Sequence, residues 1–378
     1  MSPDEINRII VQRYTIFSLV SPKMAAGNPP LISADDEWSP LKAVIVGRAE
    51  DSAFPSEPRH MIEATMPSEH VDNFKPRNPF PAGILAEAQK ELDNFESILH
   101  KYGIKTYRPS EVNWLDVGGY TGAMPRDGLL SVGNTLVEAP FAWGCRRNEI
   151  KLGYSEILNE LSQSGSSRIC RAPQINGADT IYNKNGKEST QNNGTSHWVA
   201  NNSRPAFDAA DFMRFGKTII GQMSHVTNRK GFEYLQAVIP EGYTVEVLDT
   251  TDEHAMHIDA TLLPLRKGVM IYHPERVNEQ TLRRHAVFTD WELYAYPFAQ
   301  PSRSSSSPPL YMCSPWLTLN ALSIDEKTIV LEANDVEFAR WLEEKFSITA
   351  IMCPFQHVNS IGGSFHCATV DLVRETVA

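Results

Sequence analysis

Five short stretches of the 378-residue chain gather its reactive side chains, and each lies at the head of a strand-like segment. They are Pro125-Arg126-Asp127, Phe207 to Asp211, His254 to Asp259, Cys313-Ser314 and His366-Cys367. Together they offer a thiol at Cys367, an imidazole at His257, and carboxylates at Asp127, Asp211 and Asp259. A thiolate is the strongest nucleophile a side chain supplies near neutral pH. Paired carboxylates hold a planar cation such as a guanidinium through charge-assisted hydrogen bonds. A histidine oriented by an aspartate can protonate a departing amine. The set therefore suits nucleophilic attack on a guanidinium carbon. Taken singly, each residue has a plainer reading. An Asp before a strand is a turn residue, a His is a satisfied polar group, and a Cys is a small buried hydrophobe. A metal site is disfavoured. His254 and His257 in a strand-like segment point to opposite faces, and no further ligand pair accompanies them.

The elements that must position these residues recur from residue 36 onward as a strand pair, an amphipathic helix and a short strand. Unit one has a strand at Leu41 to Gly47, a helix from about Ile84 ended by Gly103, and a strand at Ile104 to Arg108. Unit two has strands in Gly128 to Ala139, a helix across Glu149 to Leu161, and Arg168 to Arg171. Unit three has Lys217 to Met223, a helix across Gly231 to Val238, and Tyr243 to Leu248. Unit four has the hairpin Thr261 to His273, a helix near Gln280 to Val287, and Glu292 to Tyr296. Unit five has Leu317 to Ala333, a helix across Asp335 to Lys345, and Ile348 to Cys353. The last strand, Cys367 to Val373, is left to close a ring against unit one. Five such units point to a closed ring of α/β blades, in which equivalent strand ends would meet near the axis; an ordinary α/β sandwich with coincidental periodicity is the alternative. Two segments, Asn183 to Ser196 and Pro301 to Pro309, are expected to be surface loops.

Residues 1–34 stand apart as an arm, helical or partly disordered, that could pack on the body or mediate a homodimer; residues 35–378 form one catalytic domain. Net charge is −11, from 46 acidic against 35 basic residues, and no basic run stands out, which disfavours nucleic-acid and membrane partners. Five cysteines at wide spacing, with no Cys-x-x-Cys, fit free thiols in a cytoplasmic protein.

At these residues the sequence resembles the amidinotransferase family, which includes glycine, inosamine-phosphate and lysine amidinotransferases and is related to arginine deiminases. The resemblance covers about residues 36–372. It is carried by Glu37-Trp38-Ser39-Pro40-Leu41, Val44 to Arg48, Met124 to Asp127, Val132-Gly133-Asn134, Glu138-Ala139-Pro140, Phe207 to Asp211, Met256 to Thr261 and Gly362 to Thr369. It implies a five-bladed pseudo-symmetric α/β propeller of ββαβ units. It also implies that Cys367 is the nucleophile, His257 the general acid and base, and Asp211 the group that orients it. Asp127 and Asp259 would grip the guanidinium, and Arg276 would pair with the substrate carboxylate. Ser314, Met256, His254 and Cys313 would line the substrate pocket. Cys313 and His254 depart from some relatives, as does the absence of an Arg-Arg-x-Gly tail. The expected reaction moves the amidino group of L-arginine through an amidino-cysteine to a primary amine, with no metal or organic cofactor. A lid near residues 250–257 would keep water out between the two steps. L-Lysine ranks first as acceptor, glycine second and an aminocyclitol phosphate third. An arginine deiminase-type hydrolase and a non-enzymatic binding propeller are the rivals.

Overall fold

The computed structural model describes residues 30–175, 177–183, 198–252, 256–299 and 306–375. Its strands fall into five separate three-stranded sheets, and four of them share one pattern: an antiparallel hairpin followed, after a helical segment, by a parallel third strand. The first blade contains β1 (Leu41–Val46) and β2 (Lys105–Tyr107). The second has β3 (Leu129–Val132), β4 (Thr135–Glu138) and β5 (Arg168–Cys170). The third has β6 (Phe212–Phe215), β7 (Thr218–Gln222) and β8 (Thr244–Leu248). The fourth has β9 (Leu262–Arg266), β10 (Val269–Tyr272) and β11 (Glu292–Ala295). The fifth has β12 (Leu322–Asp325), β13 (Thr328–Glu332) and β14 (Thr349–Cys353). β15 (Thr369–Arg374) then pairs antiparallel with β1, supplying the missing inner strand of the first blade. The ring closes with strands from both ends of the described chain, and the fold is a five-bladed α/β propeller.

Local chemistry explains the hairpins. Gly216 and Gly268 take φ of 71° and 84° at the tips of the third and fourth, a left-handed conformation that costs glycine little. The helices bury one stripe each: Ala88, Leu92, Phe95 and Leu99 of Ala82–Lys101, or Phe338, Leu342 and Phe346 of Val336–Phe346. Two expected helices differ. The second unit's breaks at Tyr154 into Glu149–Gly153 and Ser155–Ser162, where the Tyr154 hydroxyl donates to the Gly122 carbonyl at 2.7 Å. The fourth unit's shrinks to the single turn Glu279–Leu282 and a 3₁₀ turn, Ala286–Phe288, because Arg283 Nη1 caps the carbonyls of Phe288 and Trp291. The fifth unit's first strand begins at Leu322, five residues later than expected.

The inner strands are tied by buried charge. Asp371 on β15 accepts from Arg126, Arg214 and Arg374 at 2.6–2.7 Å. Arg214 on β6 also forks onto Glu37, and Arg374 reaches the Ser323 carbonyl of β12. Of the arm, residues 1–29 lie outside the described residues; Ser33 and Ala34 bridge to Val373 and Gly133. The expected loop Asn183 to Ser196 lies almost wholly outside them, as does the first half of Pro301 to Pro309.

Candidate active site

The strand openings build the site. Asp127 sits in a single helical turn, Pro125–Gly128, just ahead of β3, and Pro125 at its first position presets the backbone. Asp259 sits in a 3₁₀ turn, Ile258–Ala260, ahead of β9, and Cys367 lies two residues ahead of β15. His257 precedes the 3₁₀ turn with φ of 65°, a conformation non-glycine residues rarely take. Its main-chain N–H donates to Asp211 Oδ1 at 2.8 Å. Asp211 also accepts from Gln222, Ser224 and Thr227, so it clamps the strained backbone. Burial pushes its carboxyl up to about 6, against the pull of the His257 charge and the hydroxyl donors.

This corrects the role expected for Asp211. The carboxylate on the imidazole is Asp208, three residues earlier, whose Oδ2 lies 3.1 Å from His257 Nε2. The opposite ring nitrogen, Nδ1, faces the chemistry: Cys367 Sγ at 3.9 Å and Asp127 Oδ1 at 3.6 Å. Burial works against a charged His257, but the Asp127 charge and the Asp208 hydrogen bond lead what outweighs it and hold its pKa well above the ordinary value. A proton on Nδ1 lies within reach of both Cys367 and Asp127.

Cys367 is buried, and burial with the charge of Asp259 pushes its thiol up to about 12. The thiol donates to Asp259 Oδ2 at 3.2 Å, and Asn320 Nδ2 donates to the sulfur at 3.0 Å. Burial would raise the Asp259 pKa, but the hydrogen bond from His366 Nδ1 at 2.8 Å, with its charge, brings it below the usual carboxylate value. Asp127 is raised, by burial first, although Arg146 donates to its Oδ2 at 2.9 Å. One oxygen of each, Asp127 Oδ1 and Asp259 Oδ1, is buried with no hydrogen-bond partner among the described residues. Such orphaned acceptors mark a place for a donor-rich ligand.

Asp127, His257, Asp259 and Cys367 line one cavity of about 440 Å³, shared with Met256, Arg276, Cys313 and Ser314. Arg276 is largely buried, with Nε 3.3 Å from Asp252 Oδ2. The Cys313 thiol donates to the carbonyls of Asn359 and Gly362. Of the sequence candidates, Asp211 sits behind the cavity wall and His254 lies outside the described residues, as does part of the expected lid segment. The sequence reading missed Asp208, Arg146 and Asn320. Asp208 lay inside a quoted motif. Asn320 occupies, two residues ahead of β12, the register that Asp127 and Cys367 hold before their strands.

Ligand atoms of Asp127, His257 and Cys367 lie within 4.8 Å of one another, close enough to share a metal ion. Each of the three is engaged within the protein: the thiol donates to Asp259, Asp127 accepts from Arg146, and His257 pairs with Asp208. Two carboxylate oxygens without hydrogen-bond partners, a thiol and an imidazole in one cavity can bind a guanidinium, attack its carbon and protonate what leaves.

No protein-family model matches the chain. It is 37% identical over 350 residues to the L-arginine:L-lysine amidinotransferase of Pseudomonas savastanoi pv. phaseolicola, covering 89% of this chain and 93% of that one. Among solved structures it is similar to SxtG, an amidinotransferase from Microseira wollei in the saxitoxin biosynthetic pathway, with a TM-score of 0.82, 31% identity, and coverage of 92% and 98%. It is likewise similar to the inosamine-phosphate amidinotransferase StrB1 of Streptomyces griseus, with a TM-score of 0.78, 29% identity and the same coverage. A relative this similar across nearly the whole chain settles the class of enzyme: the chain belongs to the amidinotransferase family, a group of transferases acting on small molecules.

Proposed function

We propose that the protein transfers the amidino group of L-arginine to the ε-amine of L-lysine, giving L-ornithine and L-homoarginine, with Cys367 as the covalent carrier. The observation that carries the reading is the pair of orphaned oxygens, Asp127 Oδ1 and Asp259 Oδ1, around a thiol that donates to Asp259 and lies 3.9 Å from His257 Nδ1. A guanidinium held by both carboxylates brings a positive charge beside the sulfur. That charge offsets the Asp259 and Asp127 charges that raise the thiol pKa in the free site, so the thiol gives up its proton to solvent as the cation binds and the sulfur becomes the thiolate.

The thiolate then attacks the guanidinium carbon and forms a C–S bond. The C–N bond to the substrate's side chain breaks, and the His257 Nδ1 proton goes to the departing amine of ornithine. Asp208, on Nε2, holds the ring in place and its charge favours the imidazolium. Asp127 and Asp259 retain the cationic amidino-cysteine. Lysine enters, its ε-amine attacks the same carbon and gives a proton to His257, and the C–S bond breaks. Arg276 takes the α-carboxylate of each amino acid in turn.

Two points support lysine. A relative whose name carries that activity aligns over 89% of the chain. Lysine also exceeds ornithine by one methylene, a difference a pocket discriminates only modestly, and can use the same Arg276 contact. Five free cysteines suit a reducing cytoplasm, and no described helix is long and apolar enough to cross a membrane. The test is an acceptor screen with arginine present, read by amino-acid analysis. Homoarginine formed faster with lysine than any product with glycine or an aminocyclitol phosphate is the expected result. Guanidinoacetate as main product would replace the acceptor, and steady citrulline would replace transfer by hydrolysis.

A further inference from the structure

Asn320 is 2% exposed and lies against the Cys367 sulfur. Its Oδ1 accepts two main-chain N–H groups, those of Ser364 and Cys367, both at 3.1 Å. A main-chain N–H can only donate, so these contacts fix which end of the amide is oxygen. Nδ2 must therefore be the atom 3.0 Å from Cys367 Sγ. An amide NH₂ only donates, so here the sulfur is an acceptor. The opposite contact runs the other way: the thiol hydrogen is directed to Asp259 Oδ2 at 3.2 Å. The main chain also comes close to the sulfur at Gly363, where an added Cβ would sit 2.3 Å from Sγ.

We propose that Asn320 is a further catalytic residue, the fixed hydrogen-bond donor that stabilises the Cys367 thiolate, both when it forms and when it leaves the amidino carbon. The two contacts divide the work. The carboxylate of Asp259 favours the thiol, and Asn320 favours the thiolate, because a donor gains most when its acceptor is charged. A guanidinium that occupies Asp259 removes the first preference and leaves the second. The same donor acts again when the C–S bond breaks and the electron pair returns to sulfur. The amide is preorganised for this at no cost during the reaction, since its oxygen is pinned by the Ser364 and Cys367 main chain.

The inference rests on Cys367 being the nucleophile, and its test does not require turnover. The probe is iodoacetamide, with carbamidomethylation of the Cys367 peptide followed by mass spectrometry from about pH 7 to about pH 10. Asn320→Asp keeps an oxygen for the two main-chain N–H groups and replaces the donor by an acceptor. It is expected to slow alkylation of Cys367 roughly tenfold or more at each pH, a rise of about one pH unit or more in the thiol, through the lost donor and the added charge together. Asn320→Ala removes the donor without adding charge and is expected to slow alkylation about threefold or more, with a lower Tm from the two orphaned N–H groups. A purely structural role lowers Tm in Asn320→Ala without slowing Cys367 alkylation there, so the uncharged variant separates a lost donor from the charge that Asn320→Asp adds. Alkylation within about twofold of the unsubstituted protein in either folded variant overturns the proposal. Loss of homoarginine formation with an unshifted alkylation profile would overturn it too, while leaving Cys367 as the nucleophile.

Discussion

At the scale of single residues, the site depends on carboxylates with opposed duties. Asp259 raises the Cys367 thiol pKa in the empty site yet is needed to hold the guanidinium. Asp259→Asn is therefore expected to speed iodoacetamide alkylation of Cys367 at neutral pH while reducing arginine turnover by about 10² or more. A parallel fall in both would show that Asp259 acts on sulfur by position alone. Asp208 and Asp211 separate in the same way. Asp208→Asn removes the charge behind His257 Nε2 and is expected to lower kcat by about 10²–10⁴. Asp211→Ala strands the His257 main-chain N–H, Gln222, Ser224 and Thr227, and is expected to cost about 3 kcal/mol or more, read as a lower urea midpoint. Cys367, His257, Asp127 and Asp259 were legible in the sequence because a polar residue before an apolar strand stands out. The duties of Asp208 and Asp211 were not, because a Phe-Asp-Ala-Ala-Asp stretch offers two carboxylates and only the turn they form decides which reaches the ring. Asn320 was hidden by a strand start placed at Leu317, which made Cys313-Ser314 look like the opening of the fifth unit.

At the scale of elements, Asp335 heads the helix Val336–Phe346 without a side-chain capping bond. Burial, then the nearby charge of Glu332, pushes its carboxyl up to about 7 from an ordinary 3.8. Below the lower value folded and unfolded chains both hold the proton. Between the two values only the folded chain does, so this group costs stability that grows as pH rises and is complete above about 7. Asp335→Asn never ionises. It is expected to leave Tm unchanged near pH 4 and raise it at pH 8; a variant equally shifted at both would place the effect outside ionisation. The helix itself was readable from its three-and-four spacing of apolar residues, as was Ala82–Lys101. The fourth unit's helix was not, because the side chain that ends it, Arg283, looks in sequence like any exposed helical arginine. Its three carbonyl contacts appear only once the chain turns back at Phe288 and Trp291.

At the scale of the whole molecule, ring closure and chemistry share one buried network. Asp371 accepts from Arg126, Arg214 and Arg374, and Glu37 links Arg214 to His366 and so to Asp259. Asp371→Ala leaves three guanidinium groups short of a partner and is expected to cost about 3–5 kcal/mol, measured by urea denaturation. A loss below about 1 kcal/mol would mean the arginines find other partners. The five-unit repeat and the closing last strand were legible from strand and helix periodicity. The network was not, since charged residues alternating along a strand read as a solvated face, whereas here that face is the centre of the ring. Cys367, at the end of that network, carries the central claim, and the intact protein can report on it directly. Mass spectrometry after exposure to L-arginine alone should show one adduct of about 42 Da on Cys367, with ornithine released in step. Adding L-lysine should discharge the adduct and yield homoarginine. No adduct, an adduct that survives Cys367→Ala, or continuous citrulline without any acceptor would contradict the account.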